Sequence, residues 1–217
     1  MPIKILHTAD LHLDSPLSSL ALRNEHLQAR VIIASRKSLE KMVDFCVAEG
    51  VTALLIAGDL YDRAERSAKT AAYLTIQMER LRAASVRVFY IKGNHDAENP
   101  ITGEIDLPAN VHVFDGRGGK VQIAPDVWVH GVSFRDKHAP ESLVSKFGAP
   151  EPGAVNIAML HTSLTGSAGH DPYPRRTGHG QSPATSAHWP APRSGSGLLC
   201  RWLCGALCVY GRLTLLR

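Results

Sequence analysis

Four short clusters of acids, amides and imidazoles punctuate the chain: Asp10 and His12 in "ADLHLD", Asp59 and Asp62 in "GDLYD", Asn94, His95 and Asp96 in "GNHD", and His161 in "LHTS". Asp and His are the side chains most used to hold metals. A phosphodiester is anionic and resists attack by hydroxide. Two cations roughly 3.5–4 Å apart neutralise it, activate a water and stabilise the leaving oxygen. Such a centre needs a carboxylate shared by both ions, neutral His and Asn to complete the shells, and a further His to protonate the leaving group. Each cluster alone has a plainer reading: a D-x-H pair caps a turn, an Asp in "GDLYD" caps a helix, and a lone His at a strand end is a hydrogen-bonded structural residue. All four in order, each after an apolar run, point to a metal site.

The apolar runs are what must position them. "IKILHT" reads as a short strand with a polar exit. From Glu25 to Glu49 the period becomes helical, with Leu39, Met42, Val43, Cys46 and Val47 on one face and Gly50 as the stop. "VTALLIAGD" is a strand buried on both faces. Residues 65–85 form a second helix with Ala71, Leu74, Met78 and Leu81 on one side, and "VRVFYIKGNHD" is a third strand. This β–α–β–α–β order implies a parallel sheet with right-handed crossovers. In such sheets the ligand site lies beyond the carboxyl ends of the strands, where all four clusters stand. Gly58 and Gly93 are expected to let the backbone turn tightly before the polar residues. "VHVFDG", "GKVQIA", "DVWVHGVSF" and "VNIAMLHTS" then follow with short connections, apart from a possible helix over 140–147. They suggest a second, partly antiparallel sheet packed on the first.

The 217 residues are 44% hydrophobic and 20% charged, the composition of a globular domain with a real core. Charge is uneven. Residues 1–171 carry 18 Lys and Arg against 20 acids, and residues 172–217 carry six Arg and no acid. The net charge of +4 therefore belongs to the tail and is no nucleic-acid footprint of the main domain. Cys46 falls in the apolar helical pattern as a small core residue. "MPIKILHTADLH" has no apolar secretory segment, so the expected setting is cytoplasmic and reducing.

D-x-H, G-D-x-x-D, G-N-H-D and a strand-terminal His, in this order, resemble the calcineurin-like metallophosphoesterases. "ILHTADLHLDSPL", "GDLYDR" and "IKGNHD" resemble the bacterial DNA-repair exonucleases of the SbcD type within them. The resemblance covers residues 1–171. It implies an α/β metallophosphoesterase-type four-layer α/β/β/α sandwich, incomplete here at the C-terminus. It also implies two divalent metal ions, with manganese as the family's metal. Asp10 and His12 would ligate the first ion, Asp59 would bridge, and Asn94 and His161 would ligate the second. His95 would be the catalytic histidine beside the leaving group. Asp62 and Asp96 would orient histidines or loops, and His7 and Asp14 would serve local structure or substrate contact. The implied partners are DNA, an SMC-like ATPase subunit of the SbcC type and a second copy in a homodimer, with no membrane.

The family also closes its site with G-H-x-H past the strand-terminal His, and the nearest string here, "GHGQ" at 178–181, has Gln181 where the second His belongs. Residues 172–217 show no period of 2 or 3.6, and their C-x3-C-x3-C spacing (Cys200, Cys204, Cys208) matches no metal motif. They are expected to be an aberrant, low-order basic tail, the product of out-of-frame translation or truncation. The domain organisation is then a truncated nuclease domain over 1–171 and the tail over 172–217. The expected function is metal-dependent hydrolysis of DNA phosphodiester bonds, impaired in this chain and with poor manganese binding. The alternatives are a small-substrate (nucleotide) phosphoesterase and a degenerate, non-catalytic interaction module.

Overall fold

The computed structural model describes residues 3–15, 25–61, 67–97, 106–136, 143–161, 197–201, 205–210 and 215–216. The first sheet is built from β1 (Ile5–Thr8), β2 (Ala53–Ala57), β3 (Arg87–Ile91), β4 (Val111–Val113) and β10 (Leu215–Leu216), in the order β10-β1-β2-β3-β4. Every pairing in it is parallel. Helix α1 (Glu25–Ala48) joins β1 to β2, and α2 (Ala68–Ala83) joins β2 to β3. Strand order advances in one direction, so two crossovers of the same hand leave both helices on one face.

These strands are buried on both sides and their residues alternate accordingly. Leu6, Leu54, Ile56, Val88 and Tyr90 pack under the helices with Leu39, Val43, Cys46, Leu74, Met78 and Leu81. Ile5, Ala53, Leu55, Ala57, Phe89 and Ile91 point the other way and meet the second sheet. Val47, which the helical period places on the inner face, is 43% exposed. It sits at the end of α1, where the chain is already leaving the sheet. The stop is built as expected: Gly50 adopts φ 59°, and the Val51 N–H reaches back to the Cys46 carbonyl at 2.9 Å. On α2 the buried face also holds Thr70 and Gln77, two polar residues that the apolar period passes over.

The second sheet is formed by β5 (Gly119–Ala124), β6 (Val127–Val132), β7 (Val155–His161), β8 (Gly197–Arg201) and β9 (Gly205–Tyr210), in the order β5-β6-β7-β9-β8. It is mixed as expected, with β6 and β7 parallel and the other neighbours antiparallel. Its inner face contributes Ile123, Val127, Val129, Ile157 and Met159 to the core between the sheets, joined by Phe114 from the segment after β4. On the outer face Val132, Phe134, Ala158 and Leu160 pack with Leu143 and Phe147, around a 3-10 turn at Leu143–Lys146 where the sequence suggests a helix.

Two expectations are corrected. "VHVFDG" belongs to the first sheet, not the second, since β4 pairs with β3. The tail is not without strands: β9 pairs with β7 from Asn156↔Tyr210 to His161↔Gly205, and β10 pairs with β1. Short apolar runs with no clear period, such as "GALCVY", can pair as buried strands because a two-sided strand needs no alternation.

Candidate metal centre

The loops leaving β1 and β2 run side by side. The Asp10 N–H donates to the Gly58 carbonyl (3.1 Å), the His12 N–H to the Asp59 carbonyl (3.0 Å) and the Leu13 N–H to the Leu60 carbonyl (2.9 Å). This extends the parallel pairing past the strand ends and holds Asp10, His12 and Asp59 on adjacent backbones. The conformation is costly. Asp10 (φ 55°), His12 (41°), Asp14 (58°) and Asp59 (53°) all lie in the left-handed region, where each L-residue costs on the order of 1–2 kcal/mol. Such strain survives only where the surroundings over-determine it.

Asp59 is the hub. It is 1% exposed. Its Oδ2 lies 3.2 Å from Nε2 of His161 and 3.9 Å from Nε2 of His12. Its Oδ1 accepts the backbone N–H of His95 at 3.0 Å. His95 belongs to α3 (Asn94–Ala97), a single turn in "GNHD" that the strand reading of this stretch did not resolve. The His95 ring meets the His12 ring edge-on with centroids 5.0 Å apart. Asn94 is 2% exposed, and neither its Oδ1 nor its Nδ2 has a hydrogen-bond partner. A buried amide left in this state is costly, and a cation accepts its oxygen readily.

His161 arrives from the second sheet, at the end of β7. Its Nδ1 sits 2.9 Å from the Ala57 carbonyl. A proton on Nδ1 donates there, which turns Nε2 toward Asp59 and fixes the ring in the manner of metal-binding imidazoles. Phe134 packs edge-on against it at 5.9 Å. Asp10, Asp59 and His161 each offer a ligand atom, and these atoms lie within 4.8 Å of one another.

Electrostatics agree with a cation site. Burial opposes a charge on His161, yet Asp59 and then Asp10 outweigh it and push the imidazole up to about 9. Burial also pushes the Asp59 carboxyl up, but His161 and His95 outweigh it and hold the group below its ordinary range. For Asp10, burial pushes up, His161 pulls down and Asp59 pushes up again, with a net rise. With no ion among them, the clustered acids recruit a proton.

The structure therefore brings together all six residues assigned from the sequence. Asp96, fully buried, accepts the N–H groups of Tyr61 and Gly93, both at 2.9 Å, and so orients the two loops as expected. Asp14 takes a structural part: its carboxylate accepts from Arg36 Nε (2.8 Å) and Nη2 (2.5 Å) and from Thr70 Oγ1 (2.5 Å), tying the β1 loop to both helices. This also explains why Thr70 is buried. Asp62 and "GHGQ" lie outside the described residues.

The glycines have a second role that the sequence did not disclose. Gly58 does take a left-handed φ of 90°, but a Cβ there would also stand 2.4 Å from Nδ1 of His161. Gly93 has no such φ. It is needed for space, because a Cβ would stand 2.1 Å from Oδ1 of Asp59. Among the described residues, no helix is long and apolar enough to cross a membrane.

Comparison with known proteins points the same way. Residues 3–194 match the family of calcineurin-like phosphoesterases. The chain is 36% identical over 180 residues to the uncharacterized metallophosphoesterase YhaO of Bacillus subtilis, which covers 79% of this chain and 43% of that protein. It is 26% identical to the DNA double-strand break repair protein Mre11 of Methanopyrus kandleri, over 89% of this chain and 48% of that one. Among solved structures, a dimetal phosphatase from Danio rerio is 19% identical, with a TM-score of 0.41 over 61% of this chain and 45% of that one. The chain spans about half the length of the curated relatives it matches.

Proposed function

The chain belongs to the calcineurin-like phosphoesterases, enzymes that hydrolyse phosphoesters at a metal centre, and from that premise we propose that it cleaves phosphodiester bonds in DNA as a repair exonuclease. The observation that carries the chemistry is the convergence on Asp59 of groups from four strand ends. The Mre11 relatives support DNA as the substrate. In this reading the catalytic unit is 1–171, and an SMC-like ATPase and a second copy of the chain are its partners.

The donor set fits two divalent ions. Asp10 and His12 would hold one, Asn94 and His161 the other, and Asp59 both. Mixed oxygen and nitrogen donors suit manganese. Bound ions would neutralise the phosphate and activate a water for attack. The protein does the rest. The Ala57 carbonyl sets the face that His161 presents. The His95 N–H fixes one oxygen of Asp59 and leaves the other toward the histidines. His95 itself, held against His12, is placed to give a proton to the leaving oxygen.

The test is elemental analysis of purified chain after equilibration with manganese, with nuclease assays on linear duplex and single-stranded DNA. Asp59→Asn is expected to remove most bound metal and all metal-dependent cleavage while the fold survives. Two ions per chain retained in that variant would refute the assignment. Full metal binding without cleavage of DNA or nucleotides would favour a non-catalytic module.

A further inference from the structure

Beside the metal centre lies a recess of about 310 Å³ whose walls include Lys92, Ala97, Phe114, Asp115, Phe134 and Arg135. It adjoins the centre directly. Ala97 closes α3, whose first residues are Asn94 and His95. Phe134 shows one edge to the His161 ring. The exits of β3 and β6 are stitched together here: the Lys92 N–H donates to Ser133 Oγ at 2.8 Å, and the Phe134 N–H donates to the Lys92 carbonyl at 3.0 Å. Ser133 Oγ in turn donates to the Phe114 carbonyl. Two cationic residues, one from each sheet, are thereby fixed on one rim. Arg135 is held further by Gly116, where a Cβ would stand 2.2 Å from its Cγ, so its stem crosses that glycine closely.

Charge in the recess is unbalanced. Asp115 is engaged by Arg117, whose N–H donates to Oδ1 at 2.7 Å and whose Nε lies 3.8 Å from Oδ2. Among the described residues, neither Lys92 nor Arg135 has an acidic partner. Two unneutralised cations over an apolar floor of Ala97, Phe114 and Phe134 suit an anionic group attached to a compact, partly apolar body. The volume lies at the lower end of small-ligand sites, the scale of one nucleotide and far below a duplex.

Resting on the phosphodiesterase reading, we propose that Lys92 and Arg135 bind the phosphate next to the scissile one, so that the recess is a subsite for the neighbouring nucleotide of a single DNA strand. The metal centre would hold one phosphate and this rim the next. Because both contacts are to backbone, the subsite is indifferent to base identity.

The test is fluorescence anisotropy of the full chain with a labelled oligodeoxythymidylate and a labelled oligodeoxyadenylate, in EDTA, across a salt series. The double variant Lys92→Gln, Arg135→Gln is expected to weaken both probes alike and to flatten the slope of log K against log salt by about 1.4, roughly 0.7 for each lost phosphate contact on a single strand. Lys92→Arg with Arg135→Lys is expected to restore it. Lys37→Gln with Lys41→Gln, which removes the same charge from the exposed face of α1, is expected to leave the slope unchanged. An unchanged slope in the first double variant, or an equal loss in the α1 control, overturns the subsite. Asp59→Asn separates the two readings. Retained metal in that variant sinks the metal assignment, whereas the EDTA slopes judge the subsite alone.

Discussion

At the scale of single residues, the centre is as sensitive to what is missing as to what is present. Gly93 offers no donor, yet its hydrogen stands where any larger group would push Asp59 away. Gly93→Ala is therefore expected to reproduce the metal loss of Asp59→Asn with every ligand intact, measured by elemental analysis. Unaltered metal content would show that the Asp59 carboxylate can move without consequence. His95 gives the opposite pattern. Its backbone N–H serves Asp59 and survives substitution, whereas its ring serves the leaving group. His95→Ala is expected to keep bound metal and lower DNA turnover by roughly 10²–10⁴. Parallel loss of metal and turnover would make the ring a ligand instead.

At the scale of elements, the loop after β1 owes its shape to Asp14 as much as to its pairing with the β2 loop. Burial pushes the Asp14 carboxyl up, but hydrogen bonds from Arg36 and Thr70 outweigh it and hold the group below the usual carboxylate range. A lowered folded value means that the stabilisation is complete above the unfolded pKa of about 3.9. It is lost as pH falls through the lower, folded value. Asp14→Asn tolerates the same left-handed backbone and removes only the charge. Denaturant unfolding at neutral pH is expected to show a loss of about 2 kcal/mol, narrowing as acid removes the same charge from the parent chain. A constant gap down to pH 2 would mean that the charge is not what Arg36 and Thr70 hold. The sequence disclosed the strands and helices that carry the centre, because burial on both faces and the helical period are written in residue types. It also disclosed the donors, because Asp, Asn and His at strand exits have few other uses. It did not disclose the Asp14 network, where two of the three partners lie in helices that the chain reaches only by folding. Nor did it disclose that "VHVFDG" pairs with β3, since an apolar alternation does not say which sheet receives it.

At the scale of the whole molecule, the last strands matter more than their composition suggests. β9 covers the edge of β7, and β10 covers the edge of β1. A chain ending at residue 196 uncovers both, and bare edges template association. Light scattering after size exclusion is expected to show oligomers or aggregates of that truncated chain under conditions where the full chain stays smaller; identical profiles would mean that these pairings stabilise nothing. One further property follows from where His161 comes from. It hangs on the second sheet, while Asp10, Asp59 and Asn94 hang on the first, and the two sheets otherwise meet only through side chains with no directional bond. An ion gripped by both sets is then a rivet through two plates. Loaded protein resists sliding along the seam and parts in one event, whereas chelated protein has a slip plane along which the plates can shear before either one ravels.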